Sequence, residues 1–189
     1  MLVSDSNGKM LNLRTLKPEF HGIRRDRYTT KSAIDDVPKL REPNEVKDIL
    51  FQVGLNDLRR GFSPVEIQEN VLKMQMLYNQ HFPNARQHVT ALPPLSKKHI
   101  EVNQNLQKLC SFTQSNFVST NELRDESTGR IRTGLTVDYH YNSYGMALVA
   151  RAMMKSLFSK SNLQPKQLEN MRLMLNTPDQ PTTDQRSHE

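Results

Sequence analysis

The stretch DILFQVG, residues 48–54, constrains this chain more than any other: an apolar run without polar alternation, closed by a glycine. That is the pattern of a central strand covered on both faces, and such a strand needs helices on either side of its sheet. The surrounding sequence alternates strand and helix signals in the way this requires. MLVS (1–4) reads as a first strand, HGIRRDRY (21–28) as a short basic second one, RQHVTALPPL (86–95) as one ended by two prolines, and NFVST (116–120) as the last. A chain that begins inside a core strand is expected to be a domain cut from something longer.

The helices between them carry their own signals. A weak one is expected around KSAIDDVPKL (31–40). In SPVEIQENVLKMQMLYNQHF (63–82), Ser63 caps, Pro64 suits the first helical position and Glu66 completes a capping box, with Ile67, Val71, Met74 and Tyr78 at helical spacing. Ser96 is placed to cap a helix running through Ile100, Leu106 and Cys110, and Asn142 to cap a closing amphipathic helix, NSYGMALVARAMMKSLF (142–158). NELRDESTGRIRTGLTVDYHY (121–141) reads as a polar connection. The expected fold class is therefore an α/β three-layer sandwich around a central parallel sheet, with a main domain over residues 1–161 and a tail over 162–189. Within that tail, Pro165 to Asn176 can make one short helix, with Leu168, Met171 and Leu175 in a stripe, and the remainder has a disordered composition.

With 189 residues and 35% apolar content, the interior of one main domain can be filled and not those of two. Cys110 is the only cysteine, so neither an internal disulfide nor a thiol metal cluster is possible, and an intracellular, reducing compartment is the expectation. The six histidines show no ligand spacing, no Gly-rich phosphate loop is present, and no stretch is long and apolar enough to span a bilayer. No cofactor or metal is expected. The net charge of +6, from 26 Lys and Arg against 20 Asp and Glu, allows an acidic partner.

In an open parallel sheet, ligands bind at the carboxyl ends of the strands. Three polar stretches fall there: SDSN after the first strand, GLND after the central one, and DYHYN before the last helix. Together they hold the parts that acyl transfer from an ester needs. Ser6 is a candidate hydroxyl nucleophile, His140 its base, Asp138 the carboxylate orienting that base, and Asn56 an amide donor for the oxyanion.

In these blocks the chain resembles the SGNH hydrolases, the GDSL-type esterases. SDSN is similar to their Gly-Asp-Ser block, with Ser4 in place of the glycine. VGLND is similar to their Gly-x-Asn-Asp block at Gly54, Asn56 and Asp57. HYNSYG is similar to the final block, in which the histidine is followed by Asn142 and Gly145. The resemblance covers residues 1–160. It implies a flavodoxin-like domain, a Ser-His-Asp triad, and an oxyanion hole built from the nucleophile's own N–H, a glycine N–H after the second strand and the Asn side chain. The implied reaction is serine-dependent hydrolysis of small acyl or acetyl esters, with no cofactor. Two positions depart from the family pattern. Val137 stands three residues before His140, where the family carries its aspartate, and RDRYTTKSA lacks the expected glycine, leaving Thr29, Thr30 or Lys31 to offer a main-chain N–H.

Those departures support an alternative, a catalytically impaired domain used as a binding module for RNA or another nucleic acid. Arg24, Arg25, Arg27 and Lys31 beside Tyr28 would contact phosphates and stack on a base. A similar domain in the germ-plasm protein Oskar has that use.

Overall fold

A computed structural model describes residues 1–5, 22–24 (backbone only), 28–40, 46–137 and 140–158. Five strands form one parallel sheet: β1 (Leu2–Ser4), β2 (Gly22–Arg24), β3 (Asp48–Gln52), β4 (Arg86–Thr90) and β5 (Asn116–Val118), in the order β2-β1-β3-β4-β5. Alternate residues of a strand face opposite sides. Here buried apolar residues line both sides, and each side meets its own helices.

On one side Val3, Ile49, Phe51 and Val89 pack against three helices, α1 (Thr30–Asp36), α3 (Pro64–His81) and α4 (Lys97–Thr113). On the other, Leu2, Leu50 and Val118 meet Met146, Val149, Met153 and Leu157 of α5 (Ser143–Phe158). Two cores back to back on one sheet make the three-layer sandwich that the sequence pattern predicts. A short helix, α2 (Leu55–Arg59), follows β3 directly. Among the described residues no helix is long and apolar enough to cross a membrane.

Local signals account for most boundaries. The Ser63–Glu66 capping box is formed in both directions, Glu66 N–H donating to Ser63 Oγ at 3.2 Å and Ser63 N–H to the Glu66 carboxylate at 2.7 Å, which holds that carboxyl below its usual range. Ile67, Val71, Met74 and Tyr78 are all buried beneath it. Cys110 is buried as well, and desolvation pushes its thiol up to about 11. Ser96 sits at the head of α4 without capping it. Its hydroxyl pairs instead with His99 Nδ1, three residues on, at 2.7 Å.

Two expectations change. The described part of the second strand is Gly22–Arg24 and Tyr28 lies outside any strand, and the connection 121–141 holds structure of its own. Within it, Arg124 and Ile131 form an isolated bridge, and β6 (Thr136–Val137) pairs antiparallel with β7 (His140–Tyr141). The suggested helix over 165–176 lies outside the described residues.

Candidate active site

In this strand order the chain reverses its direction of winding between β1 and β3, and the crevice beyond their carboxyl ends is where such sheets bind ligands. The two strands are held in register there. Ser4 pairs with Gln52, Ser4 Oγ donates to Gln52 Oε1 at 3.0 Å, and Asp5 N–H donates to Gln52 O at 3.1 Å. The serine found in place of the family's glycine is thus a buried tie between the strands. Ser6 follows immediately in sequence and lies outside the described residues, as do Asp138, Arg25 and Arg27.

After β3 the chain turns sharply at Gly54, whose φ of +113° belongs to the region that side-chain-bearing residues avoid. A Cβ there would also stand 3.4 Å from Ile67 Cγ2. The turn starts α2 and directs its first polar residues inward. Asn56 is almost fully buried, and its Nδ2 donates to Tyr28 O at 3.0 Å. A primary amide carries two N–H bonds, so one stays available as a donor to a ligand.

Asp57, fully buried, accepts from Thr30 N at 3.1 and 3.2 Å and from Thr30 Oγ1 at 2.6 Å. Desolvation lifts its carboxyl above the usual range, and the Thr30 bonds oppose that rise. The GLND block therefore ties the loop after β2 to the loop after β3. One consequence is a correction: the Thr30 N–H is spent on Asp57 and cannot serve an oxyanion, which leaves Thr29 and Lys31 as main-chain candidates.

His140 lies on β7, directly opposite Val137 of β6. Directly opposed side chains in an antiparallel pair share one face, with Cβ atoms about 5 Å apart. Tyr141, one residue on, is buried in the second core, so His140 points the other way and stays half-exposed, while Val137 is 61% exposed. The ribbon is clamped to the head of α5 by Asn142. Its N–H donates to Leu135 O at 3.0 Å, its Nδ2 to Gly134 O at 2.6 Å, and its Oδ1 caps the helix by accepting from Gly145 N at 2.9 Å. At Gly145 a Cβ would fall 2.2 Å from Leu135 O, so only glycine lets the ribbon lie this close to the helix. Asn142 reads from sequence as a cap; its second grip, on Gly134, comes from eight residues away and has no sequence signal.

The nucleic-acid cluster fares differently. Tyr28 is 2% exposed, packs in the first core and donates its hydroxyl to Asp36 Oδ2 at 3.0 Å, so its ring cannot stack on a base. Lys31 is exposed and pairs with Asp35 at 3.4 Å. Arg24 lies on β2, an edge strand. Among the described residues no group of three His, Cys, Asp or Glu could hold a metal ion.

No protein-family model and no curated protein matches the sequence. Solved structures do match. A member of the lipolytic protein G-D-S-L family from Veillonella parvula superposes with a TM-score of 0.68 at 12% identity, covering 85% of this chain and 97% of that one. The psychrotrophic esterase EstA from a Pseudoalteromonas species gives 0.61 at 16% identity, over 82% and 96% of the two chains. The OSK domain of Drosophila Oskar gives 0.67 at 18% identity, over 83% and 87%. With β1 and β3 meeting at the switch point and helices on both faces of the sheet, the chain has the fold of the SGNH, or G-D-S-L, hydrolases.

Proposed function

We propose that the chain is a serine-dependent hydrolase of small acyl esters, with Ser6 as nucleophile and His140 as general base. The observation that carries this reading is the geometry after β3, where the left-handed Gly54 turn brings the Asn56 amide, one N–H uncommitted, to the strand end next to the one Ser6 follows. The fold shared with the lipolytic G-D-S-L protein and with EstA supports it. In the reaction Ser6 Oγ attacks the ester carbonyl and His140 takes its proton. The oxyanion is held by Asn56, the Ser6 N–H and a main-chain N–H from Thr29 or Lys31. His140 then protonates the departing alcohol, and water repeats the cycle on the acyl-enzyme. Asp138 is the nearest carboxylate in sequence to orient His140. Residues 1–161 are the proposed catalytic unit.

Hydrolysis of 4-nitrophenyl acetate and butyrate by the wild type and by Ser6→Ala tests this. A folded wild type without activity ends the esterase reading, and a Ser6→Ala variant that keeps full activity ends the assignment of Ser6 as its nucleophile.

The second reading, a nucleic-acid-binding module, is favoured by the likeness to the OSK domain. With Tyr28 buried, binding would rest on phosphate contacts from Arg24, Arg25, Arg27 and Lys31, and so would weaken steeply with salt. An RNA titration at low salt that stays flat removes it.

A further inference from the structure

A hydrogen-bonded Ser-His-Asp chain lies elsewhere in the molecule. His88, at the middle of β4, is fully buried on the face covered by α5. Its Nε2 lies 3.0 Å from Asp48 Oδ1, at the start of β3, and its Nδ1 lies 2.9 Å from Ser156 Oγ, near the end of α5. Arg86 grips the same carboxylate, Nε at 2.7 Å and Nη2 at 3.1 Å, and with His88 it holds Asp48 below its usual range against desolvation. An ionised carboxylate only accepts, so in neutral His88 the proton sits on Nε2 and Nδ1 accepts from the Ser156 hydroxyl. This arrangement makes a serine nucleophilic: a hydroxyl on an imidazole, and the imidazole oriented by an acid.

Ser156 also borders open space. A cleft of about 420 Å³ runs between β5 and α5, lined among others by Ser156, Arg151, Lys155, Phe117, Asn116 and Glu122. Among the described residues Arg151 and Lys155 make no ion pair, and the buried Nδ2 of Asn116 has no hydrogen-bond partner. Asn116 is the direct register partner of His88, so the two side chains stand on the same face of the sheet. An amide donor and two cations facing one acid, Glu122, favour an anionic ligand.

We propose that Ser156 is a second acyl-accepting hydroxyl, separate from the site beyond β1 and β3, and that its cleft takes a small ester bearing a negative charge. Ser156 Oγ attacks the carbonyl carbon as its proton passes to His88 Nδ1, and Asp48 stabilises the imidazolium. Asn116 Nδ2 is the donor the cleft offers to the oxyanion, and Arg151 and Lys155 face the negative charge of the ester. The carbon to alkoxide bond then breaks, the alcohol leaves with the proton from His88, and Ser156 carries the acyl group. The proposal does not rest on Ser6.

The test treats the full chain, as wild type, Ser6→Ala and Ser156→Ala, with a fluorophosphonate probe and maps the adducts by peptide mass. Each serine lies on its own peptide, so the two readings succeed or fail separately. A Ser156 adduct in both the wild type and Ser6→Ala is expected, slowed roughly tenfold or more by Asp48→Asn, which disorients His88. The 4-nitrophenyl ester of succinic acid should protect Ser156 better than the uncharged butyrate does. That preference, roughly threefold to tenfold for two exposed charges, should vanish in Arg151→Glu/Lys155→Glu, whose surface changes leave the fold intact. Absence of a Ser156 adduct in folded protein overturns the proposal, and so does an adduct rate indifferent to Asp48→Asn. Equal protection by the two esters overturns the charge assignment.

Discussion

Val137 stands directly across the β6–β7 ribbon from His140, on the same exposed face. Whatever side chain occupies position 137 therefore neighbours the imidazole. A triad's acid is worth about 10⁴ in kcat, so a carboxylate placed there should recover part of that range. Val137→Asp is expected to raise kcat on 4-nitrophenyl acetate by roughly tenfold or more with little change in KM. Combining it with Asp138→Asn shows whether the two carboxylates act in the same place: the gain should then grow.

Asn142 holds the ribbon through Leu135 and Gly134 while capping α5. Asn142→Ala removes a helix cap, worth about 1 kcal/mol, or roughly 2–4 °C in Tm for a chain of this size. Because His140 rides on the ribbon, kcat should fall further than that loss of stability explains, at nearly unchanged KM. Steady-state kinetics well below Tm separate the two effects.

At the other strand end, Asn56→Ala deletes the amide that the proposed mechanism aims at the oxyanion. Removing one such donor costs about 10²–10³ in kcat. The same change unties Tyr28 O, so the measurement pairs kinetics with a melting curve. Gly54→Ala instead forces a Cβ into the left-handed turn and should destabilise the fold by about 1–3 kcal/mol.

The Asp48 carboxyl titrates below its ordinary value in the folded chain, lowered by His88 and Arg86. A depressed folded pKa means that its stabilising contribution is complete above the unfolded value of 3.8 and is lost as pH falls through the folded one. Asp48→Asn should accordingly cost most near neutrality and progressively less below pH 3.8. Urea midpoints of the two proteins, measured from pH 6 downward, are expected to converge.

How much of this was legible beforehand depends on how far apart the partners lie. The Ser63–Glu66 box, the Asn142 cap and the apolar run of β3 are written within a few residues of each other, and each formed as read. Tyr28 reads from sequence as a stacking aromatic because four basic residues surround it, whereas its ring and hydroxyl answer to the core and to Asp36. Ser96 stands at a cap position, but His99 competes for its hydroxyl. The tie between Asp57 and Thr30 joins residues 27 apart, and that between His88 and Ser156 joins residues 68 apart. No periodicity or local motif encodes such pairs; only the sheet order brings them together.

Helix α5 is a strut fastened at both ends. Asn142 and the close approach at Gly145 fix its head to the ribbon, and at its foot Arg86 Nη2 donates to Leu157 O at 3.0 Å while His88 holds Ser156. One end carries the ribbon that bears His140 and the other carries Ser156, so the helix gives both candidate sites a common foundation. A shortened version of the chain that stops between Met146 and Lys155 would keep the fastenings of the head and lose those of the foot, whereas one that stops just after Phe158 keeps every one of them.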